Sequence, residues 1–207
     1  MHGPLEAAHG AMMLPQGLYA VPPGQVAAVV TYLQMDAPPP PRPVPPAPGV
    51  AMAREAMALR PFRALYRRVG TPWLWSSALE RDDAVVADWL ADPAVETWVP
   101  RREGVALGLM QLDRREPGAC ELAYFGLVPE AVGGGLGRRL MHLATQRAFA
   151  EGPVRFHVHT CTLDSPGALA FYIRSGFAPV RQAIELRPDP RGRTLPQDAA
   201  PALPPPT

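Results

Sequence analysis

The sequence predicts a mixed α/β domain built on one central sheet, and three observations carry that reading. Apolar residues switch between the twofold period of strands and the 3.6-residue period of helices along the middle of the chain. Proline is concentrated outside that middle: of 28 prolines, four precede Gln25, eight lie between Pro38 and Pro48, and seven lie between Pro188 and Pro206. The composition (207 residues, 47% hydrophobic, 19% charged, net charge +1) fits one globular domain with length left over for tails. Residues 1–24 and 188–207 are accordingly expected to be flexible ends and residues 25–187 the folded domain, with a proline-rich extended linker at 37–49. The same prolines suit a proline-binding partner, an adaptor reading that competes with the linker reading.

The elements follow in order. Gln25–Met35 reads as a first strand from its β-branched and aromatic residues Val26, Val29, Val30, Thr31 and Tyr32. Leu59, Phe62, Leu65, Tyr66 and Val69 recur at helical spacing, with Pro61 in the first turn and Gly70 as a stop. Asp82 and Asp83 can cap a second helix carrying Val85, Val86, Trp89 and Leu90. Strands are expected over 94–99, 105–113 and 120–128, separated by turns at Glu103-Gly104 and Pro117-Gly118. A long helix over 136–150 carries Leu136, Leu140, Leu143 and Ala144 on one face. A strand over 154–160, a helix over 167–175 and a last strand or pair over 177–186 complete the domain.

Composition also excludes. No apolar run approaches the roughly 18–20 residues that cross a bilayer, and the first residues lack the pattern of a signal peptide. A cytoplasmic protein with no membrane partner is expected. Two cysteines, Cys120 and Cys161, are too few for a disulfide framework or a thiolate zinc site. Near-zero net charge argues against nucleic acid as a partner. All 20 basic residues are arginine, and lysine and asparagine are absent. That pattern, with abundant Ala, Gly and Pro, reads as the codon bias of a GC-rich genome rather than as a functional patch.

The most specific local feature is the run Val132-Gly133-Gly134-Gly135-Leu136-Gly137-Arg138-Arg139, which follows a strand and opens the best helix in the chain. Glycines let a ligand approach the main chain closely, and a helix start offers unpaired N–H groups and partial positive charge that suit a phosphate. No Lys-Ser/Thr follows Gly137, so the run is not a P-loop, and it lies too late in the chain for a dinucleotide fingerprint. A glycine-rich turn with no ligand is the competing reading.

The run from Pro129 to Gly137 resembles the acetyl-CoA pyrophosphate loop of the GCN5-related N-acetyltransferases, with Gly135 and Gly137 at its two small positions. Val132 stands where that family has Arg or Gln, removing a polar contact, and Arg138 can supply charge instead. The segment from His159 to Phe177 is similar to the family's following strand, loop and helix, with Ala168, Ala170, the Phe171-Tyr172 pair and Gly176-Phe177. Asp164 takes the place of the usual Asn, which keeps the acceptor and loses the amide donor. The resemblance implies a central mixed, mostly antiparallel sheet of six to seven strands flanked by about four helices. It implies acetyl-CoA as cosubstrate, no metal, and direct acetyl transfer to a primary amine of a small molecule. Homodimers are common in that family, and nothing in this sequence decides the point. A non-catalytic acyl-CoA sensor of the same fold is the alternative.

The resemblance also assigns candidates. Pantetheine is expected between the strands at 120–128 and 154–160, against main chain of Phe125, Leu127 and Val128, with the N–H of Leu127 or Phe125 polarising the thioester. Main chain of Val132, Gly133, Gly134, Gly135, Leu136, Gly137 and Arg138 would hold the pyrophosphate, and Asp164 would lie near the cofactor. Tyr172 is the candidate acid toward the departing sulfur, its alternative being a core aromatic. Glu121 is the candidate base, its alternative being a solvated strand-end charge. Strand alternation is expected to place Glu121, Ala123, Phe125 and Leu127 on one face. His157 and His159 share a strand face and suit proton relay. His159, Trp73 and Trp75 are candidates for the acceptor pocket, with core packing as the alternative for the tryptophans. Cys161 close to His159 raises covalent catalysis, for which no orienting third group is evident.

Overall fold

The computed structural model describes residues 14–44, 46–152 and 154–201. In chain order the elements are β1 (Gln25–Met35), β2 (Val50–Arg54), α1 (Leu59–Gly70), α2 (Ser77–Glu80), α3 (Asp83–Ala91), β3 (Val95–Arg102), β4 (Val105–Ala106), β5 (Gly108–Asp113), β6 (Ala119–Leu127), α4 (Leu136–Ala148), β7 (Arg155–Cys161), α5 (Ala168–Arg174) and β8 (Ala178–Pro188), with single 3₁₀ turns at Thr71–Trp73 and Pro129–Ala131. The eight strands form one sheet in the order β2-β3-β5-β6-β7-β1-β8, with the short β4 beside β3. All pairings are antiparallel except β6 with β7. The expected mixed, mostly antiparallel sheet is present, with eight strands and five helices.

The first strand does not sit at an edge. β1 lies between β7 and β8, antiparallel to both, so the chain's first strand joins its last two. The next strand, β2, is at the opposite edge of the sheet. The proline-rich linker must therefore cross the sheet. Five strand spacings of about 4.8 Å make roughly 24 Å, and 14 residues at about 3.1 Å each reach further than that in extended form. Arg42 ties the linker to the Arg174 carbonyl at 2.7 Å, and Pro39 packs at Gly176.

Three apolar clusters hold the sheet. Leu112, Cys120, Leu122, Phe156 and Val158 pack with Leu140, Met141, Ala144, Tyr172 and Phe177 on the side of α4 and α5. Phe62, Leu65, Tyr66, Val69, Val86 and Trp89 of α1 and α3 pack against Val95, Val99, Leu109 and Tyr124 on the other side. A third cluster joins Ala28, Leu74 and Leu163 to Leu195, Ala199 and Ala200.

That third cluster corrects an expectation. Residues 189–201 are docked rather than flexible, and Asp189 and Arg191, each 5% exposed at the side chain, form a forked ion pair at 2.7 Å. A buried carboxylate is tolerable only when paired and hydrogen-bonded, and this one accepts from the Arg191 guanidinium and backbone N–H. Residues 14–24 are exposed and carry no strand or helix, while 1–13 and 202–207 lie outside the described residues.

Candidate functional site

β6 and β7 form a fork. They pair only over Ala119–Arg155, Cys120–Phe156 and Glu121–His157. Beyond that, β6 continues to Leu127 paired with β5, while β7 continues to Cys161 paired with β1. The backbone of β6 therefore presents an open edge to the gap. The Val128 N–H donates to the Leu107 carbonyl at 3.0 Å. Alternation along an antiparallel ladder then turns the amides of Gly126 and Tyr124 toward β5 and those of Phe125 and Leu127 into the gap. Such an edge accepts an extended ligand as it would another strand.

The glycine loop ends in α4. Gly133 and Gly135 adopt φ of +96° and +79°, which glycine alone reaches without strain. A Cβ at Gly133 or Gly134 would meet nothing, so the main chain there is approachable. Gly135 caps α4 without a side-chain bond, and Arg139 is the residue whose N–H returns to the Gly135 carbonyl. The N–H groups of Leu136, Gly137 and Arg138 are thus left for a ligand. The Leu136 side chain is buried and offers only its backbone. Val132 is 67% exposed and brings no polar atom. Arg138 is exposed on the first turn. Gly137 borders Leu127 and Phe171, which places the helix start beside the gap.

Aromatic side chains line the α4–α5 side. Phe125 stacks on Phe171 with centroids 5.6 Å apart, and Tyr172 meets Phe125 edge-on at 6.3 Å and Phe177 at 5.9 Å. Tyr172 is 7% exposed. Burial first, and then the charge of Asp164, push its phenol well above the ordinary tyrosine range. The phenol stays protonated. Tyr172 belongs to the core cluster and, through Phe125, borders the fork.

Glu121 lies on the other face, and here the expected alternation is wrong. The β5–β6 register shifts so that Gln111 faces Tyr124 while Leu112 faces Leu122. Ala123 is the extra residue of a β-bulge, which re-aims every side chain after it. Glu121, Ala123 and Tyr124 face the α1–α3 side, whereas Phe125 and Leu127 join Cys120 and Leu122 on the α4–α5 side. Glu121 Oε1 is 3.7 Å from His159 Nδ1, with the side chains 18% and 25% exposed, so Glu121 is not a solvated strand-end charge. His159 in turn lies 5.9 Å from the Tyr32 ring. Burial, followed by the nearby Arg155, lowers the pKa of His157, which keeps that imidazole neutral. The Cys161 thiol is pushed up to about 11 by burial and by Asp164, so it is not a ready nucleophile.

Asp164 is occupied by the protein itself. Oδ2 accepts from the Thr160 hydroxyl at 2.7 Å and the Cys161 N–H at 3.0 Å, and Oδ1 accepts from the Trp75 indole at 3.0 Å. The charge of Asp164, expected near the cofactor, is spent on three donors of the protein itself. Trp75 also packs on Tyr66 and Tyr124 at 5.5 and 5.6 Å. Trp73 is half-buried in the 3₁₀ turn beside it. The loop is held from behind by Arg187, which sequence reasoning missed and which donates to the Ser76 hydroxyl at 3.0 Å and the Leu74 carbonyl at 2.9 Å. Leu74 itself is fully buried at φ +53°, so burial worth about 2 kcal/mol offsets backbone strain of about 1–3 kcal/mol. Among the described residues, no group of three His, Cys, Asp or Glu is placed to hold a metal ion, and no helix is long and apolar enough to cross a membrane.

The profile of the acetyltransferase (GNAT) family matches residues 60–177. A stretch of 66 residues is 39% identical to a mycothiol acetyltransferase of Jonesia denitrificans, covering 32% of this chain and 21% of that protein. The chain thus spans about a fifth of the length of that curated relative. Among solved structures, a GCN5-related N-acetyltransferase from Sphaerobacter thermophilus aligns with a TM-score of 0.55 at 15% identity, over 84% of this chain and 55% of its own. Another from Kribbella flavida aligns with a TM-score of 0.50 at 23% identity, over 82% of this chain and 61% of its own. At these identities the structures establish likeness of fold.

Proposed function

The chain belongs to the acetyltransferase (GNAT) family, and from that premise we propose that it transfers the acetyl group of acetyl-CoA directly to a primary amine of a small molecule. The observation that carries the proposal is the fork. Unpaired amides of Phe125 and Leu127 face a gap that ends beside the uncapped start of α4 and its open glycine loop. An extended amide-bearing arm fits the first feature and a pyrophosphate fits the second.

The residues divide the chemistry between the two faces of the sheet. The amine nitrogen attacks the thioester carbon, a C–N bond forms and the C–S bond breaks, leaving an amide and the CoA thiolate. An amide N–H of Phe125 or Leu127 stabilises the developing oxyanion. The proton lost by the amine goes to the Glu121–His159 pair on the α1–α3 face. Tyr172, on the opposite face, hydrogen-bonds the departing sulfur. Giving up its proton outright would strand a buried phenolate near Asp164, so the phenol serves as a donor and the thiolate gains its proton from water on release. Metal ligands play no part in this proposal, and the protein is read as cytoplasmic.

The test is a steady-state assay of CoA thiol release from acetyl-CoA across a panel of amines: amino acids, polyamines, aminoglycosides and peptide N-termini. Saturable release with one class, accompanied by an acetylated product, supports the proposal. Release no faster than background hydrolysis across the panel counts against it.

A further inference from the structure

The Trp75 indole crosses the fork. One end rests on β6, where a Cβ at Gly126 would lie 3.3 Å from the indole Cη2 and 2.4 Å from a Val69 methyl. The other end donates Nε1–H to Asp164, which is fixed to the end of β7 through Thr160 and Cys161. At this level β6 and β7 no longer share a backbone hydrogen bond, since their pairing stops at Glu121 and His157. The neighbouring residues Leu74 and Leu163 belong to one apolar cluster, sealed by Leu195 of the docked C-terminal segment. A polar bond and an apolar contact therefore join the loop after α1 to the loop after β7. A side chain at Gly126 would drive into Val69 and press on the indole.

We infer that Trp75 is a positioning residue: hung from Asp164 and seated on Gly126, it is a strut that fixes the separation of β6 and β7 where the thioester carbonyl is polarised. The strut also closes the α1–α3 side of the gap at the level of Gly126, which leaves the stretch of that same face nearer Glu121 and His159 for the amine. This inference rests on the acetyl-transfer reading for its catalytic consequence, though not for its mechanical one. It further explains Asp164 in chemical terms. Both carboxylate oxygens accept, so an amide at this position would turn an NH₂ toward either the indole N–H or the Thr160 and Cys161 donors.

The test compares Trp75→Phe, Asp164→Asn and the double variant in the full chain. Each single substitution is expected to lower kcat about ten- to a hundredfold, because small misplacements at a reacting centre are that costly. The Kd for acetyl-CoA and the KM for the amine should change no more than about threefold. The double variant should be no worse than either single one, since each breaks the same connection from β6 through the indole and Asp164 to β7. Amide hydrogen exchange over residues 124–128 and 160–166 should rise equally in all three variants. Additive losses, an Asp164→Asn variant matching the wild type, or unchanged exchange in those segments would overturn the strut. If the wild type turns over no amine, the acetyl-transfer reading fails, and the exchange measurement alone still decides the strut. Phe preserves the ring and Asn the shape, so thermal unfolding should remain cooperative in both.

Discussion

Glu121 and His159 meet across the fork, Oε1 to Nδ1 at 3.7 Å, although backbone pairing between their strands reaches only to His157. The bulge at Ala123 sets Glu121 and His159 on one side of the sheet and the lining of Phe125 and Leu127 on the other.

In the proposed reaction this pair accepts the amine's proton, so Glu121→Gln should reduce kcat by about a hundredfold and change its dependence on pH. A pH–rate series on both proteins checks this. Superimposable profiles would remove Glu121 from the proton path.

Tyr172→Phe keeps the packing against Phe125 and Phe177 and removes one hydroxyl. It should lower kcat about ten- to a hundredfold with acetyl-CoA affinity unchanged. Because burial holds the phenol above its ordinary range, the wild-type rate should show no basic limb from this group below about pH 10. A sensor that binds acyl-CoA without turnover would show no functional change on this substitution.

Cys161→Ala should leave kcat unchanged, since a thiol pushed up to about 11 carries negligible thiolate at neutral pH. Intact mass after incubation with acetyl-CoA should reveal no acetyl adduct on the wild type. A cysteine-linked acetyl group would require a two-step mechanism instead.

Asp189→Asn should destabilise the protein by about 1–3 kcal/mol, because the amide removes the carboxylate charge and one of the two oxygens that accept from Arg191. The Asp189 pKa is depressed by its hydrogen bonds to Arg191. Its contribution is therefore complete above the unfolded-state value of about 3.9 and is lost as pH falls through the folded value. Urea unfolding at pH 7 and pH 3 should show a large difference between wild type and variant at the higher pH and a smaller one at the lower.

Much of this architecture is written in the local pattern of the chain. β1, α1 and α3 follow directly from β-branched runs, helical spacing and acidic starts, and the glycine turn stands where α4 begins. What escaped is non-local. A bulge adds one residue to β6 without any compositional mark, and only the partner strand reveals it. β2 is five residues of Val, Ala, Met and Arg after a proline tract, too short to carry a period. The segment after Pro188 has the composition of a tail, yet Leu195 docks on Leu74 and Ala28, residues more than a hundred positions away. Trp75 and Asp164 are 89 residues apart, and neither side chain on its own implies the other.

The central claim is that the fork and the glycine loop together hold acetyl-CoA, and calorimetric titration tests it most directly, with free CoA and ATP as controls. The account predicts micromolar, one-to-one binding that favours acetyl-CoA over CoA. It also predicts tighter binding by Val132→Gln, which adds a polar group at an exposed position beside the loop. Absence of detectable heat with acetyl-CoA, or equal binding of ATP, would contradict it.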